Sequence, residues 1–397
     1  MDELKAIADM LDEPPTRTAE DEGRRRLRRE IANPSGGRGR TRARFGWPLK
    51  TGLGLVAAGA AAAVAVSVLG PGAAPPAPGG TQAAPVDLGK QAVLAAAENA
   101  AKQRTGKYFY IHHTSGQSYV VPARTGAYAL VGARSEMFVV TGLEPGMKVT
   151  YYGREPAPRL WTAADEAAYA KAGSPAKVEV WSGDKALTFD MTEQAKWDLS
   201  GTGPIKDQLG EFTIEELQNL PADPEALAER FFDDEELVNE MFGGRGGKDV
   251  PARFKTPEFA AATKIRAVGW RLGGLPIPPK VRAALMKALM AEPGVRAVGE
   301  TTDPLGRKGV ALTSGDRTVE VTGEFGTPPE RQGTYTSRQE IVFDRATGNV
   351  LAMQNVLTKP GGPYKDREPG FIIDFEAVPE MGWSDGRPTP PRKVPGS

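Results

Sequence analysis

No charged residue occurs between Lys50 and Asp87, and this gap constrains the chain more than any other feature. Inside it, residues 53–69 are an unbroken run of Leu, Val, Ala, Gly and one Ser, Ser67. With Thr51 and Gly70 as margins the run covers 51–70, and as a helix it measures about 30 Å, the thickness of a bilayer core. Seven of its 17 core positions are Ala, so an Ala-rich helix buried in a soluble core is the competing reading. The flanks favour a transmembrane helix. Phe45 and Trp47 stand where interfacial anchors belong, and bases crowd one side only.

The net charge of zero hides a strong segregation. Residues 1–23 carry eight acids and two bases; residues 24–50 carry ten bases and one acid, Glu30. The remainder holds 38 bases and 41 acids, so the bulk of the chain is close to neutral. Basic residues near a span stay in the cytoplasm, which places the N-terminus inside and the C-terminal domain outside. A cleaved signal peptide would need a charged region of more than 40 residues, and Gly70-Pro71-Gly72-Ala73 offers a poor cleavage site. An uncleaved single-pass anchor is expected. Gly59 with Ala63, or Ala58 with Ala62, fits close helix packing, but in so Ala-rich a helix that spacing arises by chance.

Residues 1–50 read as a largely disordered cytoplasmic tail, acidic then arginine-rich. Leu4, Ile7, Ala8 and Leu11 share one face of a short helix that Pro14-Pro15 must end. About three turns are unstable alone, so Leu4, Ile7 and Leu11 are candidates for folding onto a cytoplasmic protein partner. Arg24, Arg25, Arg26, Arg28 and Arg29, with Trp47, fit the anionic membrane surface. Nucleic acid is the rejected alternative, because no helix-turn-helix accompanies the arginines. Residues 71–86 are a Pro, Ala and Gly linker that spaces the outer domain from the lipid.

Residues 87–378 are expected to form an extracytoplasmic α+β domain, with 379–397 a disordered tail. A helix over 88–104 opens it, with Ala92, Val93, Ala96, Ala97 and Ala100 on one side. Strands follow at 107–113, 127–140 and 148–153, then a hairpin pairs 178–181 with 186–189 across Ser-Gly-Asp. Helices are expected at 224–242 behind Asp223, at 257–272 behind Thr256 and at 279–291. Strands return at 295–301, 309–313 and 318–322. Residues 340–343 and 350–353 make the best hairpin, with Asp344 and Gly348 in its turn. Strands joined by tight turns imply an antiparallel, strongly twisted sheet with helices grouped between its halves.

Little here points to catalysis. Cysteine is absent, which excludes disulfides, thiolate metal sites and Cys nucleophiles. The two histidines, His112 and His113, are adjacent and must point to opposite faces of a strand, so they cannot share a metal; one wet sheet face accounts for them. Residues 243–247, Gly-Gly-Arg-Gly-Gly, lack the strand and the Lys-Ser/Thr of a phosphate loop. Residues 233–236, Asp-Asp-Glu-Glu, lack EF-hand spacing and read as a solvated helix face. No cofactor, metal or catalytic residue is expected.

Three stretches, with the opening Met1-Asp2-Glu3-Leu4, carry a resemblance. They are Leu220-Pro221-Ala222-Asp223-Pro224-Glu225-Ala226-Leu227; Pro278 to Leu285 with Pro293-Gly294-Val295-Arg296 and Asp303-Pro304-Leu305-Gly306-Arg307; and Glu340-Ile341-Val342-Phe343-Asp344-Arg345-Ala346-Thr347-Gly348. In this order they resemble an uncharacterised single-span family of high-GC Gram-positive bacteria, often encoded beside extracytoplasmic-function sigma factors. The resemblance implies a membrane location and a link to envelope signalling, with no catalytic residues. A sheet wrapped on helices is also similar to the half-barrel of lipoprotein carriers, as fold-level analogy. Two functions are therefore expected in competition. One is a non-enzymatic sensor or regulator whose tail meets a sigma factor or other regulator. The other is an envelope carrier or scaffold that binds lipid or lipoprotein, the tail only anchoring it.

Overall fold

The computed structural model describes residues 87–183, 185–192, 196–204, 212–241, 256–324 and 326–391. The expected tail, span and linker, and the Gly-rich segment 243–247, lie outside them. Among the described residues no helix is long and apolar enough to cross a membrane.

Helix α1 (Leu88–Ala101) starts where Asp87 accepts a hydrogen bond from the Lys90 amide and buries Val93, Ala96, Ala97 and Ala100. Strands β1 (Tyr108–Val121), β2 (Tyr128–Gly142), β3 (Lys148–Arg154) and the short β4 (Arg159–Leu160) follow. Next come α2 (Ala163–Lys171), the hairpin β5 (Lys177–Ser182) and β6 (Lys185–Asp190), and β7 (Asp198–Pro204). The helical middle holds α3 (Ile214–Gln218), α4 (Pro224–Phe231), α5 (Asp234–Met241), α6 (Pro257–Gly274) and α7 (Pro279–Ala291). Strands β8 (Arg296–Thr302), β9 (Lys308–Thr313), β10 (Arg317–Val321), β11 (Gly333–Phe343), β12 (Val350–Lys359) and β13 (Ile372–Ser384) complete it.

The main sheet is antiparallel, in the order β7-β3-β2-β1-β13-β12-β11-β9-β8, with β10 beside β11 and β4 beside β2. It does not close into a barrel, and the β5–β6 hairpin is a separate sheet. The fold is α+β. Two meanders, β1–β3 and β8–β12, meet through the last strand, since β13 pairs with both β1 and β12. This corrects the expected end of the domain at 378. Strand β13 runs to Ser384, Arg387 donates to the Thr150 hydroxyl at 2.7 Å, and the Trp197 indole donates to the Pro391 carbonyl. The Pro-rich composition is accommodated because Pro379, which has no N–H, falls where the β1–β13 register slips between His112 and Thr114. The single helix expected over 224–242 is two helices. Asp233 accepts from the Glu236 amide at 2.7 Å and starts a new one.

One sheet face carries the helices. Phe109, Ile111, Val310, Leu312, Ile341, Phe343, Val350, Val378 and Met381 pack with Ile265, Val268, Leu272, Leu285 and Leu289 in one core. Helix α6 crosses closely because Gly269 has no side chain: a Cβ there would collide with the Met353 sulfur. The β11–β12 turn is pinned to α1. Gly348 takes φ +68° and a Cβ would strike the Ala96 carbonyl, so glycine is required twice over. Gln103, just after α1, donates to the Thr347 carbonyl at 2.7 Å.

On the opposite face, the β8–β9 turn folds over Val131, Ala352, Phe375 and Ala377, with Leu305 and Trp161 as cover. Asp303 accepts from the Leu305 and Arg307 amides, and its carboxylate also bonds the Arg307 guanidinium. That guanidinium reaches the carbonyls of Val378, Pro379 and Leu351. The Asp-Pro-Leu-Gly-Arg stretch is thus a clasp holding the turn against β12 and β13.

Candidate functional site

The residues expected to meet a cytoplasmic partner, Leu4, Ile7 and Leu11, lie outside the described residues. So do those expected at the membrane surface: Arg24, Arg25, Arg26, Arg28, Arg29 and Trp47. Both histidines are described, and both flank the sheet as the strand period requires. His113 follows Ile111 on the helix-bearing face, and His112 lies on the other. The expectation of a wet face for the pair is corrected for His112, which is buried against Trp197 at 5.6 Å between ring centres.

Around His112 the charges are paired. Glu136 accepts from Arg154 at 2.6 Å and lies 3.7 Å from the His112 Nε2, while Arg154 stacks over Trp197 at 4.7 Å. Burial would raise the Glu136 carboxyl, but His112 and Arg154 together hold it below the ordinary carboxylate range. Elsewhere Asp165 accepts from the Ala129 amide and Arg367, and Glu340 accepts from Arg338 and Gln354. Each of these buried carboxylates thus has an arginine partner, as a structural ion pair requires. Among the described residues no group of His, Asp and Glu is placed to hold a metal ion.

A different arrangement occupies the helix-bearing face beyond the apolar core. Cross-strand partners share a face, so the register reads off rows of neighbours. One row runs Ile341, Met353, Glu376, Ser115 and Ser135. The next, two residues along each strand, runs Gln339, Asn355, Asp374 and Gln117. The face that is apolar at Ile341 and Met353 has therefore become amide, carboxylate and hydroxyl. Arg266 of α6 lies above it, 4.0 Å from the Asp374 Oδ1 and 3.5 Å from the Gln339 Oε1. Arg317 of β10 pairs in register with Ser337 of β11 at its side.

Asn355 donates to Asp374 at 3.1 Å, and Tyr119 links Gln117 to Ser182 of the β5–β6 hairpin at 3.1 and 3.0 Å. Tyr335, half-buried, meets Tyr364 edge-on with ring centres 5.1 Å apart. The row remains open to solvent, since the side chains of Arg266 and Asp374 are 34% and 40% exposed. Three buried atoms in it have no hydrogen-bond partner among the described residues: Arg317 Nε, Ser337 Oγ and Asn355 Oδ1. Burial, with Arg266 adding to it, lowers the Arg317 guanidinium; burial raises the Glu376 carboxyl, against the pull of Arg266. Two cations and two carboxylates thus face one another in a setting that favours neither sign. Chemically such a set can both donate and accept hydrogen bonds.

The row is invisible in the sequence because its members span Gln117 to Asp374. The one local signal was the period-two alternation of Asp374, Phe375, Glu376 and Ala377, which marks a strand with one polar face. Two clefts lie elsewhere. One, of about 330 Å³, is lined by Phe212, Phe231, Arg230 and Arg271. The other, of about 390 Å³, lies among Tyr110, Phe138, Trp383 and Arg387.

Fold and site together define an α+β domain with an open antiparallel sheet and a hydrogen-bonding surface on its helix-bearing face. No protein-family model and no curated protein matches the chain.

Proposed function

We propose that this is a non-enzymatic, single-span membrane protein whose outer α+β domain binds a ligand on the polar row and whose cytoplasmic tail responds to it. The observation that carries the reading is the row itself. A folded protein satisfies nearly all its buried polar groups, and the Arg317 Nε, Ser337 Oγ and Asn355 Oδ1 atoms left over lie buried beside the solvent-open side chains of Arg266 and Asp374. The membrane placement is supported by the charge-free run 51–70 and the arginine block before it. Membrane lipids are then partners of Arg24, Arg25, Arg26, Arg28, Arg29 and Trp47. A sigma factor or another regulator is the partner of Leu4, Ile7 and Leu11, as the family resemblance implies.

Deleting residues 1–44 while keeping the span is the test. Transcription of neighbouring envelope genes should change; unaltered transcription removes the signalling role of the tail.

The second reading, an envelope carrier or scaffold for lipid or lipoprotein, is favoured by the unclosed sheet with helices on one face, the plan of a half-barrel carrier. Against it stands the filling of that interior: Leu285, Met286, Ile341 and Phe343 are fully buried where acyl chains would lie. Lipid co-purifying with the full-length chain and displaced by helix mutations would favour the carrier.

A further inference from the structure

We propose that the ligand of the polar row is a neutral polyhydroxylated molecule, a saccharide chain or a saccharide carried on a lipid. This rests on reading the outer domain as a binding domain and specifies what it binds. Three alternatives fail on the chemistry of the lining. An acyl chain requires apolar walls, and the row offers Gln339, Asn355, Asp374 and Gln117. A phosphate or carboxylate ligand would meet Asp374 and Glu376 as well as Arg266 and Arg317. A cation would meet both arginines. What remains is a ligand without net charge that both donates and accepts at closely spaced points.

Hydroxyl groups do this. Neighbouring strands set the lining groups one strand spacing apart, about 4.8 Å, so that several hydroxyls of one sugar unit can be met at once. The unused groups match: Arg317 Nε donates, Asn355 Oδ1 accepts, and Ser337 Oγ does either. Ser337 is 0% exposed, so its hydroxyl is already stripped of bulk water. Tyr335, half-buried beside the arginine and the carboxylate, supplies a ring against which the apolar face of a sugar can pack. A site built to bond hydroxyls also rejects analogues that lack them, because its own polar groups are then left unpaired.

The test uses the full-length chain in detergent micelles, titrated by calorimetry with chitotetraose, with maltotetraose and, separately, with palmitate. At least one tetrasaccharide should bind. Asn355→Ala and Asp374→Asn should each weaken it by roughly tenfold or more, the effect of removing a hydrogen bond to a charged or buried group. If Asp374→Asn fails to fold, Gln117→Ala, which removes an amide and no ion pair, should show the same loss. Vesicles with and without a digalactosyl lipid separate the two sources: capture that increases with the digalactosyl lipid points to a lipid-borne sugar, and tetrasaccharide binding with equal capture on both points to a free glycan. Failure of both tetrasaccharides to bind, or binding indifferent to all three substitutions, overturns the ligand class. Palmitate binding that the same substitutions abolish would overturn the class and keep the binding-domain reading. If no probe responds to the row, both fall.

Discussion

The helix-bearing face of the sheet contains two regions built on the same strands and the same register. At Phe343, Ile341 and Met353 the strands present apolar side chains, and α6 and α7 lie on them. Two residues further along, at Gln339, Asn355 and Asp374, the pairing continues unbroken while the side chains turn polar. The difference lies in what the side chains do for the fold. The first region supplies burial; the second is lined by polar side chains, and its Arg317 Nε, Ser337 Oγ and Asn355 Oδ1 are held out of water with no partner among the described residues, which costs stability.

Truncation should separate the two regions most sharply in the first. Phe343 has no exposed surface and packs within the main core. Phe343→Ala should cost about 3–5 kcal/mol, the lost transfer energy plus a cavity that the sheet cannot collapse to fill. Urea denaturation of the variant measures it. A loss below about 1.5 kcal/mol would mean that the helices repack freely over this sheet, and the contrast with the polar row would weaken.

His113 stands on the boundary, between the rows of Ile111 and Ser115 on the same face. Burial, with the charge of His112 adding to it, lowers its pKa from 6.5 to about 4. Between those values the unfolded chain binds a proton that the folded chain refuses, so stability rises with pH across the window and is lost as pH falls through it. The full swing is up to about 3 kcal/mol at one residue. Urea midpoints at pH 4.5 and 7 should differ less in His113→Gln than in the native chain, by the share that this histidine contributes. If the difference is undiminished by the substitution, the imidazole is not buried by the core, and the apolar region ends before it.

Much of this layout could be read from local pattern, and the part that could not has a common cause. Helix α7 is predicted and found over the same residues, and the β11–β12 turn follows from Asp344 and Gly348. Both are decided within a few residues by a proline start or a left-handed glycine. Strand β7, helices α2 and α3, and strand β13 were not predicted. The last of these looks like the end of a domain because Pro379 and the Gly- and Pro-rich residues after it carry the composition of a tail. Only its pairing with β1, more than 250 residues earlier, makes it a central strand. The hairpin β5–β6 is predicted, but not its separation from the main sheet or its link to β1 through Tyr119 and Ser182. The polar row has the same origin: five strands contribute to it, and no two neighbouring elements hold enough of it to stand out.

The smallest expected effect tests the second region by its sign. Ser337 is as deeply buried as Phe343, yet its hydroxyl has no hydrogen-bond partner among the described residues. In a core built only for stability, shortening a buried side chain always costs. Here Ser337→Ala removes one oxygen that lost its water on folding and gained nothing, so the change should be neutral or stabilising by up to about 1 kcal/mol. The same variant should bind the ligand of the row less tightly, because that oxygen is then missing from the site. Denaturation and titration on one preparation give both numbers. Stability gained while affinity is lost is the pattern of a group kept for binding. Stability lost by more than about 1 kcal/mol would show that the hydroxyl is already satisfied, by a buried water for instance, and that the polar region is structural in the same sense as the apolar one.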